Sequence, residues 1–464
     1  MSWTVAEVLA ATEGRLLQGD AGESLTGINT DSRSLEKGGC FVALRGENHD
    51  GHDFLPSAVK REAGALVVDH RGWKESLVVD GRVAVILVSD TLEALGAIAR
   101  HHRRLHSLPV LGITGSNGKT STKEMVGSIL SRNHHVLKSK GNFNNLVGVP
   151  LTLLSLTPEH DVAVVEMGIN VPGEMSRLAA MAEPSVGLIT NVHPAHLEGL
   201  RSLEHIVGEK GLLWKSLSPD GTAVVNLDDE RLAHLAQGLD CRKVTFSLNN
   251  PAADVRVAGK VNMEGQGSRF SLEIQGTSRE VFLSVLGLHQ VRNAVAAAAA
   301  CLALGESADV IVAGIHGHEP VGQRMQTHRL PLEGLLIDDS YNANPASMLA
   351  ALETLTAGSG SRPSVAVLGE MRELGETGPA LHTQMGRDVF RLGVQRLVTL
   401  GQLGKCISEG AVAAGMDSSR CFHAGSHEEI VDYLKKVGLE GHWVLVKGSR
   451  GMRMERVVEG ILAI

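Results

Sequence analysis

The chain has 464 residues, enough for about three domains. With 43% hydrophobic but only 3% aromatic residues, its cores must be built from Leu, Val, Ala and Ile. Its 44 basic residues are outnumbered by 52 acidic ones, a formal net charge of −8, which argues against a general nucleic-acid binder. Five scattered cysteines with no C-x-x-C pair exclude a disulfide framework and a cysteine zinc site, and fit a reducing compartment.

Residues 1–82 form the first unit. The opening MSWTVAEVLAATEGRLL reads as a helix, with Thr4 and Glu7 spaced as a capping box, and not as a signal peptide, because Glu7 interrupts the apolar run. Strand candidates are Gly39–Leu44 and Ala65–Val68, with a helix from Phe54 to Glu62. Arg45–Asp53 between them is a polar loop whose His49 and His52 read as solvated. Asp31-Ser32-Arg33 alone reads as a turn.

Residues 83–318 form the second unit, with a linker near 82–90. An apolar run at Val83–Val88 precedes a helix over Thr91–His106, whose basic end, HHRRLHS, reads as solvated and suited to the helix dipole. Val110–Ile113 is a short buried strand candidate, Thr114–Gly118 a small polar loop, and KTSTKEMVGSIL a helix. Strand, glycine loop and helix N-terminus make a phosphate cradle of backbone N–H groups. The standard G-x-x-x-x-G-K-[ST] pattern fails, because Ile113 stands where its first glycine belongs. What remains is G-x-x-G-K-T over Gly115–Thr120. Lys119 would reach the β/γ-phosphates and Thr120 the Mg²⁺.

After the polar loop Gly141–Pro150, Asp161–Met167 reads as a parallel strand with Glu166 at its carboxyl end, where an acid beside a phosphate loop would hold Mg²⁺. Val186–Val192 is a further strand, followed by a loop with His193, His196 and Glu198. The helix Ser202–Leu217 carries Lys210, which nothing local marks. Ala223–Asn226 is another strand, residues 252–285 alternate as antiparallel strands do, and His289–Leu304 is an Ala-rich helix with Asn293 near its start, too short to span a bilayer.

Residues 319–464 alternate β and α. Strand candidates are Leu335–Asp339, Ser364–Leu368, Arg396–Leu400 and Trp443–Lys447, with helices from about Pro345, Pro379, Leu403 and His427. This is a doubly wound, Rossmann-like layout. No G-x-G-x-x-G follows its first strand, which argues against a dinucleotide site. Polar loops follow the strands at Asp338–Pro345, Gly369–Glu376 and Lys447–Arg453. The fold class is therefore α/β in three domains: a small α/β unit, a central mostly parallel sheet of P-loop type, and a Rossmann-like unit. The expectation is a soluble, cytoplasmic protein.

The motifs TGSNGKTS (114–121), GNFNNLVGVPLTLL (141–154), EMG (166–168), NVHPAHLEG (191–199) and DDSYNANPAS (338–347), with the early DSR and the late LGEMRELGE and KGSRGMRMERV, resemble those of the Mur ligases, in the family's order across all three units. The resemblance implies an ATP-dependent amide ligase working through an acyl phosphate. The motif set is most similar to the member that adds D-alanyl-D-alanine to UDP-N-acetylmuramoyl-tripeptide, giving the pentapeptide precursor of peptidoglycan and serving cell shape and division. An alternative within the class is a relative with another amino acceptor, of the MurE or folylpolyglutamate synthetase type. A P-loop NTPase driving motion is a different class, which leaves the third unit's polar loops unexplained.

By the family pattern the glycine loop, Thr114, Gly115, Ser116, Asn117, Gly118, Lys119, Thr120 and Ser121, holds ATP. Thr120 and Glu166 hold one Mg²⁺, and Glu166, His196 and a carbamylated Lys210 a second. Asn293 meets the adenine, Arg324 the phosphates and Asp339 the ribose. Asp31, Ser32 and Arg33 meet the UDP-sugar, and Asn342, Asn344 and the loop Gly369–Gly375 the dipeptide. The resemblance thus assigns UDP-sugar binding to 1–82, ATP binding to 83–318, and dipeptide binding with closure over ATP to 319–464. The expected partners are these small molecules only, without nucleic acid or membrane, and the expected state is a monomer.

Overall fold

In the computed structural model, residues 3–46, 48–73, 83–194 and 202–463 are described. The strand Val110–Thr114 is buried at every position. It pairs in parallel with Val162–Glu166 on one side and Val186–Ile189 on the other. Around these three strands the central sheet runs in the order Thr277–Leu283, Gly267–Ile274, Val255–Glu264, Arg242–Ser247, Thr222–Asn226, Val186–Ile189, Val110–Thr114, Val162–Glu166, Val136–Lys138. Its first three members form an antiparallel meander, as the alternation over 252–285 predicts. The others run parallel and feed their loops to one edge, the place where open α/β sheets bind ligands. Apolar side chains of successive residues go to opposite faces: Leu111 and Ile113 join one core, Val110 another.

The third sheet has the order Gln326–Leu330, Gly334–Asp339, Trp443–Lys447, Ser364–Leu368, Arg396–Leu400, Cys421–Ala424, all parallel except the first. Asp339 and Leu368 both lie in register with Lys447, so the loops after these three strands leave the sheet together. One apolar cluster runs from Leu111 through Ala297 to Leu445 and joins this domain to the central one.

The first sheet runs Arg15–Gln18, Ala84–Val88, Ala65–Asp69, Cys40–Val42, Ile28–Asn29. This corrects the boundary expected at residue 82. Ala84–Val88 pairs with Ala65–Asp69 over its whole length and with Arg15–Gln18 on its other side, so a strand placed in the second unit lies inside the first domain's sheet. The helix Thr91–Arg104 is the joint: Ala94, Leu95 and Ile98 pack into the first domain and Ala99 into the central one.

The basic helix end read as solvated is partly buried and holds that joint. His102 is buried, with Nε2 3.0 Å from the Leu156 carbonyl oxygen. Arg103 donates to the Ala182 carbonyl at 3.0 Å, the C-terminal end of the helix Glu174–Ala182, where a cation meets the dipole. Arg100 and Arg104 pair with Glu183 at 2.9 and 2.6 Å. His52 is likewise not solvated. It is buried, with Nδ1 2.6 Å from Asp50 and Nε2 accepting from the Asp69 amide at 3.1 Å. His49 is exposed, as expected. Among the described residues no helix is long and apolar enough to cross a membrane.

Candidate active site

The carboxyl edge of the central sheet faces that of the third sheet across a cavity of about 800 Å³. The glycine loop forms its floor. Gly118 has φ 82° and a Cβ there would come within 2.2 Å of Asn293 Oδ1; Gly115 has φ 149° and a Cβ there would meet Thr190 Oγ1 at 1.9 Å. Neighbouring strand ends pin the loop. Asn191 takes the Ser116 amide on its carbonyl and the Asn117 amide on its Oδ1, both at 3.0 Å. Thr190 Oγ1 donates to the Asn117 carbonyl at 2.6 Å. The next four backbone N–H groups, Gly118 to Ser121, have no acceptor among the described residues. Free amides at a helix N-terminus form an anion cradle.

Lys119 folds back over this loop, with Nζ donating to the Gly115 carbonyl at 2.7 Å. Burial lowers its pKa, the Glu166 charge opposes that shift, and the Arg324 charge adds to it. Arg324 comes from the third domain and lies over Tyr341, with Cζ 4.1 Å from the ring centroid. Thr120 Oγ1 donates to Glu166 Oε1 at 3.2 Å, and Asn144 Nδ2 donates to the same oxygen at 2.8 Å. Glu166 Oε2 is buried without a hydrogen-bond partner. Its nearest cation is Lys123, with Nζ at 3.6 Å.

On the opposite wall, Lys447 is buried and donates to Asp339 Oδ2 at 2.5 Å and to the Asn342 carbonyl at 2.9 Å. Asn344 caps the helix Pro345–Ser359 and reaches across to Asn117, Nδ2 to Oδ1, at 2.6 Å. An anion cradle thus faces a cationic wall on a second domain. That arrangement suits transfer of a phosphoryl group between bound anions.

Residues 24–103 match the Mur ligase family catalytic domain, 113–301 the Mur ligase middle domain, and 323–450 the Mur ligase glutamate ligase domain. The chain is 36% identical over 463 residues to the UDP-N-acetylmuramoyl-tripeptide–D-alanyl-D-alanine ligase of Escherichia coli, covering 99% of this chain and 98% of that protein. The chain belongs to the Mur ligase family. Its structure is similar to that of MurF from Acinetobacter baumannii, with TM-score 0.91, 31% identity and coverage of 100% of this chain and 99% of that one. It is also similar to MurF of Thermotoga maritima solved with ADP, with TM-score 0.83, 27% identity and coverage of 94% and 96%.

In this Mur ligase the cavity wall gathers Ser116 to Ser121, Glu166, Asn293, Arg324, Asp339, Asn342 and Asn344. Thr114 and Gly115 stand behind the loop and do not line it. Lys210 lies in the helix Leu203–Lys215, buried and off the wall. Its amine has no partner among the described residues; burial and the Lys119 charge hold its pKa well below the ordinary lysine value, against the pull of Glu209. Asp31, Ser32 and Arg33 are not part of the cavity. Arg33 is exposed and forks onto Asp31 at 2.7 to 3.2 Å, which holds that carboxyl down at about 2. His196 and Glu198 lie outside the described residues.

The residue set fits a divalent cation beside the cradle. A buried carboxylate with one unclaimed oxygen, next to a hydroxyl, offers hard oxygen donors. Among the described residues no three His, Cys, Asp or Glu side chains converge.

Lys123 is the residue the sequence reading missed. Its side chain is fully buried one turn after Lys119, and Nζ donates to the Ser139 and Gly141 carbonyls at 2.8 and 2.9 Å. It thereby ties the loop carrying Asn142, Asn144 and Asn145 to Glu166. The one available signal was its i+4 spacing from Lys119, which puts both on one helix face.

Proposed function

We propose that this Mur ligase joins D-alanyl-D-alanine to UDP-N-acetylmuramoyl-tripeptide at the expense of ATP, in peptidoglycan precursor synthesis. The observation that carries this reading is the full-length likeness to ligases of that name. In the reaction, a carboxylate oxygen of the tripeptide attacks the γ-phosphorus and the bond to ADP breaks. The dipeptide amine then attacks the acyl carbon, loses its proton, and phosphate leaves with the bonding electron pair.

The free amides from Gly118 to Ser121 hold the phosphates, and Lys119 and Arg324 meet their charge from the two domains. Thr120 and Glu166 are the residues to hold one Mg²⁺, and Glu166, His196 and a carbamylated Lys210 a second, supplying positive charge that draws the reacting anions together. The depressed pKa of Lys210 supports carbamylation, because only the neutral amine adds CO₂. Asn293 meets the adenine and Asp339 the ribose. Asp31, Ser32 and Arg33 meet the UDP-sugar from the first domain; Asn342 and Asn344 meet the dipeptide. Nucleotide contacts split between two domains call for closure during turnover. The working form is a monomer, and its small-molecule substrates suit the cytoplasm.

Phosphate release tests the proposal. It should require ATP, UDP-N-acetylmuramoyl-tripeptide and D-alanyl-D-alanine together. Release at full rate from ATP alone, or with an acceptor other than the dipeptide, overturns it.

A further inference from the structure

Arg372 lies on the third domain's side of the cavity, in the loop after Ser364–Leu368. Its backbone is held in place: the Arg372 amide donates to Ser449 Oγ at 2.8 Å, and that hydroxyl donates to the Ala343 carbonyl at 3.2 Å. The guanidinium rests over Gly451, where a Cβ would come within 2.2 Å of Nη1. Its fork nevertheless has no oxygen within hydrogen-bond distance among the described residues. Glu370 Oε2 is 3.8 Å from Nε, the other Glu370 oxygen accepts the Leu403 amide at 3.0 Å, and Nη2 meets only Met452 Sδ at 3.6 Å.

Four other cations of the cavity are engaged: Lys447 holds Asp339, Arg450 holds Glu455 at 3.0 Å, Arg324 lies over Tyr341, and Lys119 closes over the glycine loop. A fifth, Arg292, stands beside Asn293 on the central domain's side, with Nε 3.9 Å from Asp228 Oδ2.

We infer that Arg372 anchors the terminal carboxylate of the incoming dipeptide, an inference that rests on the ligase reading above. The dipeptide brings an amine that reacts and a carboxylate that does not. That carboxylate must be held away from the nucleotide phosphates, because two anions in one low-dielectric cavity repel. A guanidinium fork on the wall opposite the cradle meets this need, and its planar donors match a carboxylate two-to-two. Ser449 fixes the backbone of Arg372 and Gly451 leaves room for the guanidinium, while the side chain stays 54% exposed and open to a ligand.

The test compares D-alanyl-D-alanine with its C-terminal amide, by kcat/KM in the phosphate-release assay with ATP and tripeptide saturating. The wild-type protein should prefer the free acid by roughly 10- to 100-fold, the worth of one charge-assisted contact. Arg372→Gln should erase that preference by raising KM for the acid while leaving KM for ATP unchanged, and Arg372→Lys should restore part of it. The ratio is internal to each variant, so a loss of folded protein cannot imitate the result. If Arg372→Gln keeps the full preference, or Arg450→Gln abolishes it instead, the assignment is overturned. Absence of turnover with either dipeptide in the wild type refutes the ligase reading, a separate outcome.

Discussion

Asn344 Nδ2 donates to Asn117 Oδ1 at 2.6 Å, a contact between residues 227 positions apart that ties the third domain to the glycine loop. The same side chain caps the helix Pro345–Ser359, accepting from the Ser347 amide at 2.9 Å. The two roles are separable. Asn344→Ser keeps a capping oxygen but cannot span to Asn117. It should leave thermal unfolding near wild type and lower kcat/KM about tenfold, the loss of one hydrogen bond. Asn344→Ala should in addition cost about 1 kcal/mol of stability. A serine variant with undiminished activity would show that the bridge has no part in turnover.

Lys210 is buried, with no hydrogen-bond partner among the described residues and no place on the cavity wall. If it acts as a carbamate, Lys210→Ala should lose activity, and short carboxylic acids should restore part of it by standing in for the anion. Unchanged activity in Lys210→Ala removes Lys210 from the metal assignment.

Lys123 offsets Glu166 and Glu124 and satisfies two backbone carbonyls in a buried place. Lys123→Met leaves those groups without their cation. Breaking a buried pair costs about 3–5 kcal/mol, so urea unfolding should show a loss of that size. A loss below about 1 kcal/mol, the range of exposed pairs, would contradict the burial.

His318 is buried where the chain crosses from the central to the third domain. Burial pushes its pKa down to about 4 from 6.5, with Glu124 opposing and Lys138 assisting. The unfolded chain therefore takes up the proton first. The neutral histidine's contribution is complete above pH 6.5 and is lost as the pH falls from 6.5 towards 4. Between pH 6.5 and 5 this amounts to at most about 2 kcal/mol. Urea unfolding at the two pH values should show the wild type losing stability more steeply than His318→Gln. Equal slopes refute the shift.

Much of the fold was legible locally. Buried parallel strands such as Val110–Thr114 and Val162–Glu166 are continuous apolar runs, and the meander over 252–285 alternates. Short or polar strands, among them Arg15–Gln18, Val136–Lys138 and Gln326–Leu330, carry no such pattern, because they are held by their neighbours more than by their own burial. The boundary at residue 82 failed for a related reason. Ala84–Val88 is an apolar strand in either domain, and only its pairing with Ala65–Asp69 decides which.

The same division applies to the site. By itself the sequence determined the strand, glycine loop and helix that make the cradle, and Glu166 at the end of a neighbouring strand, because strand period and loop chemistry are local properties. The family resemblance named Arg324, Asp339 and Asn344 for the site, but only tertiary structure decided that they and Arg372 line one cavity with that cradle, that Lys123 and Lys210 are buried, and that His52 and His102 are pinned inside. Those facts depend on which surfaces pack together across hundreds of residues. A lysine on a helix face looks the same in sequence whether water or a carboxylate lies opposite it.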